Sequence, residues 1–320
     1  MNADILQVRN LRTYYHTTRG AVKAVDDVTF SLAPEERFGL VGESGSGKTT
    51  VAMSLLRLIK PPGKIEGGEA VLDGRDLLSL NEEQMRQVRL AELALVAQGS
   101  MNSLNPVIRV REQIVDGIKD HDGRYGREDL EGRVRGLLER VGLRPEVAGM
   151  YPHQLSGGMK QRVCIAIAMS LGPKVIIADE PTSALDVVVQ VQVMETLRQA
   201  QEEVGAAIIL VGHDMGLMAQ FVERVGIMYA GRLVEVGSVS DIFHNPLNPY
   251  TQLLINSVPS FEEKRLMEGI SGLTPSMTDL PPGCLFHPRC PYATDRCIKE
   301  EPALYNVRER RLISCFQFEG

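Results

Sequence analysis

The sequence predicts an α/β fold: a parallel sheet with helices on both faces, preceded by antiparallel strands and interrupted by a charged helical insert. Three observations predict it. Between Lys174 and Tyr229, short apolar runs alternate with helical stretches, as in strand–helix–strand crossovers of a parallel sheet. A strand-like run over 37–42 passes through a glycine-rich loop straight into a helix-like stretch over 49–59. From Asn81 to about Gly158 the composition turns helical and charged.

The elements follow in order. Ile5, Leu6 and Val8, then Ala24, Val25, Val28, Phe30 and Leu32, alternate as antiparallel strands do. Residues 69–73 and the turn at Gly74 suggest a further hairpin. In the insert, 128–141 is the clearest amphipathic helix. A helix over 157–170 leads to a buried strand over 174–179. Then come a helix (187–204), a strand (207–212), a helix (215–222) and a strand (225–229). After about Val236 the chain turns proline-rich, notably over 245–249 and 274–291, and reads as a separate tail without internal repeats.

Composition narrows the function classes. A chain of 320 residues buries a sizeable core in one large domain or two ordinary ones. Hydrophobic residues make up 43% and charged residues 24%, ordinary for a globular protein. Net charge is −6, which argues against a broad nucleic-acid face. No apolar run approaches the roughly 18–20 residues that cross a bilayer; the longest, 175–178 and 206–211, read as buried strands. The N-terminal residues lack a basic-then-apolar leader, so the expected location is the cytoplasm. A role in transport then requires other chains to form the pore. Of five cysteines, Cys164 sits in an apolar run and reads as a buried small residue. Cys284, Cys290, Cys297 and Cys315 cluster in the tail, where a reducing compartment favours a metal site over disulfides.

The chemistry starts at Gly42-Glu-Ser44-Gly45-Ser46-Gly47-Lys48-Thr49, followed by Thr50. This fits the strand–GxxxxGK[ST]–helix pattern. Its glycines let backbone N–H groups turn around phosphate oxygens, and the next helix offers its positive end to the same anion. Lys48 reaches the β- and γ-phosphates, and Thr49 offers a hydroxyl to Mg²⁺. A second segment, Lys174-Val-Ile-Ile-Ala-Asp179-Glu180, brings two acids to the carboxyl end of a buried strand, where nucleotide crevices form in open α/β sheets. Asp179 suits Mg²⁺, and Glu180 suits an attacking water.

Leu155-Ser156-Gly157-Gly158-Met159-Lys160-Gln161-Arg162 resembles the LSGGQ signature of the ABC ATPase family, with Met159 in place of the usual glutamine. Physically it is a helix N-terminus preceded by serine and glycines, a second phosphate-binding end. The resemblance implies a P-loop NTPase (RecA-like) core with an antiparallel β subdomain and a helical ABC subdomain near 96–160, together spanning 1–235. It further implies that Ser156, Gly157 and Gly158 face the γ-phosphate held by an opposite subunit, either a second copy or a homologous ATPase. Gln98, after the strand-like 93–97, matches the Q-loop, which senses Mg²⁺ or water and links to the membrane subunit; Gly99 departs from the expected acidic residue. Ser183-Ala184-Leu-Asp186 looks like the D-loop, and His213 the switch histidine at the γ-phosphate. Tyr15 aligns with the aromatic that stacks on adenine, Tyr14 being the alternative. Glu180, His213 and Gln98 are the expected catalytic residues, and Thr49, Gln98 and Asp179 the expected Mg²⁺ ligands.

The tail sharpens the resemblance. Asn245-Pro-Leu-Asn248-Pro249-Tyr250-Thr251, then Leu253, Leu254 and Pro259, is similar to the C-terminal extension of oligopeptide and dipeptide importer ATPases, as is Val22-Lys-Ala-Val25-Asp26. Asn248 stands where that family has histidine. The cysteines, spaced Cys-x5-Cys-x6-Cys-x17-Cys, lack the CxxC pairs of zinc ribbons, and spacing alone leaves zinc and iron–sulfur open. Pro282-Gly-Cys284 and Pro288-Arg-Cys290-Pro291 resemble the context in which some of these ATPases carry a [4Fe–4S] cluster, which favours that over Zn²⁺ for a 236–320 extension. The implied function is an ABC-type ATPase powering uptake of di- or oligopeptides. Its implied setting is the cytoplasmic face of the inner membrane, peripheral to two permease subunits fed by an extracytoplasmic solute-binding protein, with no nucleic-acid partner. The alternatives are an importer of nickel or oligosaccharides, or a soluble ABC ATPase of DNA repair or translation; the single cassette without long insertions speaks against the latter.

Overall fold

Two long strands, β1 (Leu6–Thr17) and β2 (Gly20–Leu32), form a hairpin, followed by β3 (Arg37–Val41), α1 (Lys48–Leu55), β4 (Gly63–Leu72) and β5 (Arg75–Asp76). The insert carries α2 (Glu82–Val88), β6 (Leu93–Val96), α3 (Val110–Lys119) and α4 (Arg127–Arg140). Next come α5 (Gly157–Met169), β7 (Val175–Asp179), α6 (Val187–Val204), β8 (Ala207–Gly212), α7 (Met215–Phe221), β9 (Arg224–Tyr229) and β10 (Arg232–Ser238). The chain closes with α8 (Val239–His244), α9 (Pro249–Asn256), α10 (Asp295–Lys299), β11 (Tyr305–Arg308) and β12 (Arg311–Ile313). This computed structural model describes residues 4–99, 103–121, 126–183, 185–257 and 270–319. The chain divides into two compact units: one built on 33–36 and 79–210, the other on 6–32, 37–78 and 211 onward.

In the second unit, β1 pairs antiparallel with both β2 and β4, in the order β2-β1-β4-β5. The alternating apolar positions point one way: Leu6, Val8, Leu11, Val25, Val28, Phe30 and Leu32 are all buried, as a half-buried sheet requires. A second sheet runs β11-β12-β10-β9-β3. Here β3 and β9 are parallel, Val41 opposite Ile227, whereas β10 and β12 are antiparallel, Glu235 opposite Ile313. Residues 305–313 thus add two strands to the sheet that leads into the glycine-rich loop.

A polar knot joins this late hairpin to β10. Glu235, fully buried, pairs with the equally buried Arg311 and accepts from the N–H groups of Leu247 (2.9 Å) and Asn248 (3.1 Å). Burial pushes the Glu235 carboxyl above its ordinary range. Losing either charge would strand the other, at a cost of about 3–5 kcal/mol. Asn248 earns its departure from histidine as the N-cap of α9, accepting from Tyr250 N at 2.9 Å and donating to Ser314 O at 2.9 Å.

In the first unit, β8, β7 and β6 lie in that order, β6 and β7 parallel with Leu93 opposite Val175. Every residue of β7 is buried, which explains its unbroken apolar run. Helix α6 opens at Asp186, whose carboxylate accepts from Val189 N at 3.0 Å, and packs on α5. No helix among the described residues is long and apolar enough to cross a membrane.

Candidate nucleotide site

The 42–47 loop joins β3 to α1, and backbone closeness decides its sequence. A Cβ on Gly47, whose φ is 100°, would run into the carbonyl oxygen of Ala24; one on Gly42 would meet that of Met228. Both positions require glycine. Lys48, 6% exposed, folds back into the loop. Its Nζ donates to Gly42 O (2.8 Å), Glu43 O (2.9 Å) and Ser46 Oγ (3.2 Å). Ser46 O in turn accepts from Gly231 N at 3.0 Å. Ser44, Gly45 and Thr49 remain exposed, with Thr50 half-buried behind them. The result is a solvent-facing rim at the N-terminus of α1 with a lysine pinned beneath it, suited to an anion.

Glu43, unremarked by pattern, is held on both carboxylate oxygens. Arg289 donates from Nη1 and Nη2 to its two carboxylate oxygens at 2.8 and 2.9 Å, and Thr274 Oγ1 adds a third bond at 2.8 Å. The Arg289 guanidinium holds the Glu43 carboxyl below its ordinary range. No local signal could have flagged this contact between residues 246 positions apart.

His213 follows directly on β8 and is exposed, while the adjacent Asp214 caps α7 by accepting from Leu217 N at 3.0 Å. The two candidate adenine platforms differ. Tyr14 donates its hydroxyl to Asp26 and lies under the Lys23 ammonium, 5.7 Å from the ring centroid; burial, then Asp26, push its phenol up to about 12. Tyr15 is half-buried, opposite Gly63 across β1 and β4.

In the first unit, Asp179 ends β7 completely buried. Glu180 follows with a φ of 44°, a left-handed conformation that costs a non-glycine residue about 1–2 kcal/mol and recurs at functional sites. Gln98 Nε2 donates to Glu180 Oε2 at 2.8 Å, so two of the three expected catalytic residues are in direct contact. Gly99 has a φ of 65°, a backbone reason for glycine where an acid was expected. Ser156 is the exposed N-cap of α5 and accepts from Met159 N at 3.3 Å. Gly157 is half-buried; Gly158 is buried, and a Cβ there would press on Val189 of α6. Gly158 therefore serves helix packing and has only its backbone to offer a ligand. Ala184 and Pro259 lie outside the described residues.

Each unit carries oxygen donors of the kind a hard cation takes: the Thr49 hydroxyl in one, the Asp179 carboxylate and the Gln98 amide in the other. The tail cysteines are less defined. All four line one cavity of about 260 Å³, together with Tyr229, Phe286 and Phe316. Burial pushes the Cys284 thiol up to about 11 and raises Cys290 and Cys315. Among the described residues no three His, Cys, Asp or Glu side chains converge to hold a metal ion. Cys164 is buried, as its apolar run implied.

Two family descriptions match separate stretches of the chain. The family described as ABC transporter matches residues 25–183, and Oligopeptide/dipeptide transporter, C-terminal region, matches 234–297. The dipeptide transport ATP-binding protein DppD of Haemophilus influenzae is 42% identical over 313 residues, 96% of this chain and 94% of that protein. The oligopeptide transport ATP-binding protein AppD of Bacillus subtilis is 40% identical over 321 residues, 99% of this chain and 98% of that protein. Among solved structures, the dimeric bacterial ABC transporter cassette MJ0796 superposes with a TM-score of 0.65 at 28% identity, covering 73% of this chain and 98% of the cassette. With a pinned phosphate-loop lysine, a strained acid held by Gln98 and relatives aligned over nearly their whole length, this chain belongs to the ABC transporter family as an ATP-hydrolysing, ATP-binding subunit with the oligopeptide/dipeptide transporter C-terminal region.

Proposed function

We propose that this subunit hydrolyses ATP to power uptake of di- or oligopeptides through two separate permease subunits, at the cytoplasmic face of the membrane. The observation that carries the reading is the union, in one chain, of the Lys48-pinned phosphate loop and a C-terminal region of peptide-transporter type. The cassette occupies 1–235, with a helical subdomain near 96–160, and the extension 236–320. Lys48 and the N–H groups that open α1 bind the phosphates, and Tyr15 carries the adenine; Tyr14 is engaged by Asp26 and Lys23. Thr49, Asp179 and Gln98 would hold Mg²⁺, which when bound would supply neutralisation of charge developing on the transferred group. Glu180 orients the attacking water and takes its proton, and His213 contacts the γ-phosphate. Ser156, Gly157 and Gly158 close over the nucleotide of the partner ATPase, a second copy or a homologue. A solute-binding protein outside the cell delivers the peptide.

The test is affinity purification of the tagged chain from membranes, followed by an ATPase assay with candidate binding proteins. Two permeases should copurify, and peptide-loaded binding protein should raise ATP turnover. Stimulation by a nickel- or sugar-loaded protein instead would replace the cargo, and copurification with repair or translation factors would overturn the reading.

For the extension, the four thiols that line one cavity are the donors an iron–sulfur cluster takes. The resemblance of Pro282-Gly-Cys284 and Pro288-Arg-Cys290-Pro291 to the cluster-bearing context is what supports an iron–sulfur cluster over a single Zn²⁺. Cys284, Cys290, Cys297 and Cys315 would hold it, and the cluster would supply a covalent cross-link for the extension. Anaerobically purified protein should contain iron and acid-labile sulfide, and Cys290→Ser should lose both. Stoichiometric zinc, or neither metal, would overturn this assignment.

A further inference from the structure

Arg289 lies in the turn His287–Arg289, one residue before Cys290, and its side chain is 5% exposed. A guanidinium so buried needs full pairing, and it has it. Both Nη atoms fork onto the Glu43 carboxylate, Nε donates to Ser271 O at 3.1 Å, and Nη1 also reaches Tyr229 Oη at 3.2 Å. The planar group further lies over the rings of Tyr229 and Phe286, 5.7 and 5.9 Å from their centroids. At the other end, Glu43 is held on every polar group. Its N–H donates to Tyr250 Oη at 3.0 Å, its carbonyl accepts from Lys48 Nζ at 2.9 Å, and its carboxylate accepts from Arg289 and Thr274. Three of those four partners belong to the extension.

A carboxylate in the second position of a phosphate loop is an electrostatic liability, because it repels the triphosphate that the loop must bind. The bidentate arginine both neutralises that charge and fixes its direction. The structure assigns Arg289 a positioning role in ATP binding: from the cysteine-bearing extension it clamps Glu43 and so sets the phosphate loop. The assignment rests on the ATP-binding reading of residues 42–49.

Steady-state kinetics and calorimetric ATP binding on the purified full-length chain test it, with thermal melting as the control for folding. Arg289→Ala should raise KM and Kd for ATP about tenfold, the scale of one unneutralised like charge near a phosphate at a protein surface, with kcat within about twofold. Adding Glu43→Gln to that variant removes the exposed charge and should bring KM back to within about threefold of the parent. Glu43→Asp, which keeps the charge but shortens the reach, should raise KM about threefold, and it tests the clamp even where Arg289→Ala does not fold. A lower melting temperature with KM unmoved, a double variant as impaired as Arg289→Ala alone, or an unaffected Glu43→Asp would each overturn the assignment. A parent chain that binds no ATP at all would instead remove the reading of the loop itself.

Discussion

Glu180→Gln should lower steady-state ATP turnover by about 10²–10⁴-fold, the usual contribution of a positioned general base, while ATP affinity stays within a few-fold of the parent. The substitution keeps the shape of the side chain and leaves an amide oxygen in place of the Oε2 that accepts from Gln98 Nε2 at 2.8 Å. It removes the basic lone pairs that receive a proton from water. The left-handed backbone at Glu180, φ 44°, fixes the direction in which that carboxylate leaves the end of β7, so an isosteric replacement tests chemistry rather than geometry. With hydrolysis blocked and nucleotide retained, ATP should shift the protein toward a closed pair, read as a doubled mass by size-exclusion chromatography with light scattering. Turnover near the parent rate would take the general-base role away from Glu180. Slow turnover without accumulation of the closed pair would count against closure over the partner's signature residues.

The parts of this site that lie on strong periodic elements were readable from sequence, because local pattern and tertiary burial agree there. The helix expected over 187–204 is α6 residue for residue, capped by an aspartate at its start and ended by Gly205 in a left-handed conformation, the punctuation helices favour. The strand expected over 174–179 is β7 over Val175–Asp179, where every residue is buried. Where neighbours distant in sequence decide, reading failed in specific ways. The helix expected over 49–59 stops at Leu55: Arg57 adopts a φ of 52°, and Pro61 further on is incompatible with a continuing helix. Strand β11 escaped notice because Tyr305–Arg308 is an edge strand with three exposed residues of four, so it carries no alternation; what makes it a strand is pairing with β12. Arg289 was legible only as part of a cysteine context, since its partner Glu43 is set by the tertiary fold. The same holds for Gly99, whose residue type follows from backbone conformation and not from charge.

Lys48→Ala should weaken ATP binding by roughly ten- to hundredfold, the equivalent of about 1.5–3 kcal/mol for hydrogen bonds to a charged group. ADP should lose less, because the ammonium reaches the γ- as well as the β-phosphate. The geometry of the loop explains why the loss falls on affinity. Lys48 is held in the loop by two carbonyls, Gly42 O and Glu43 O, and by Ser46 Oγ, so its rotamer is restricted by the loop itself and little further ordering opposes binding. Alanine removes the charge and also leaves two inward-facing carbonyl oxygens, negative ends of dipoles, facing the phosphates. Arginine should not rescue the site, since its planar fork replaces the compact ammonium that those converging acceptors hold. Calorimetric titration with ATP and with ADP separates the outcomes. An equal loss for both nucleotides would confine Lys48 to the β-phosphate, and unchanged ATP affinity would show that the backbone N–H groups opening α1 carry the phosphate without it.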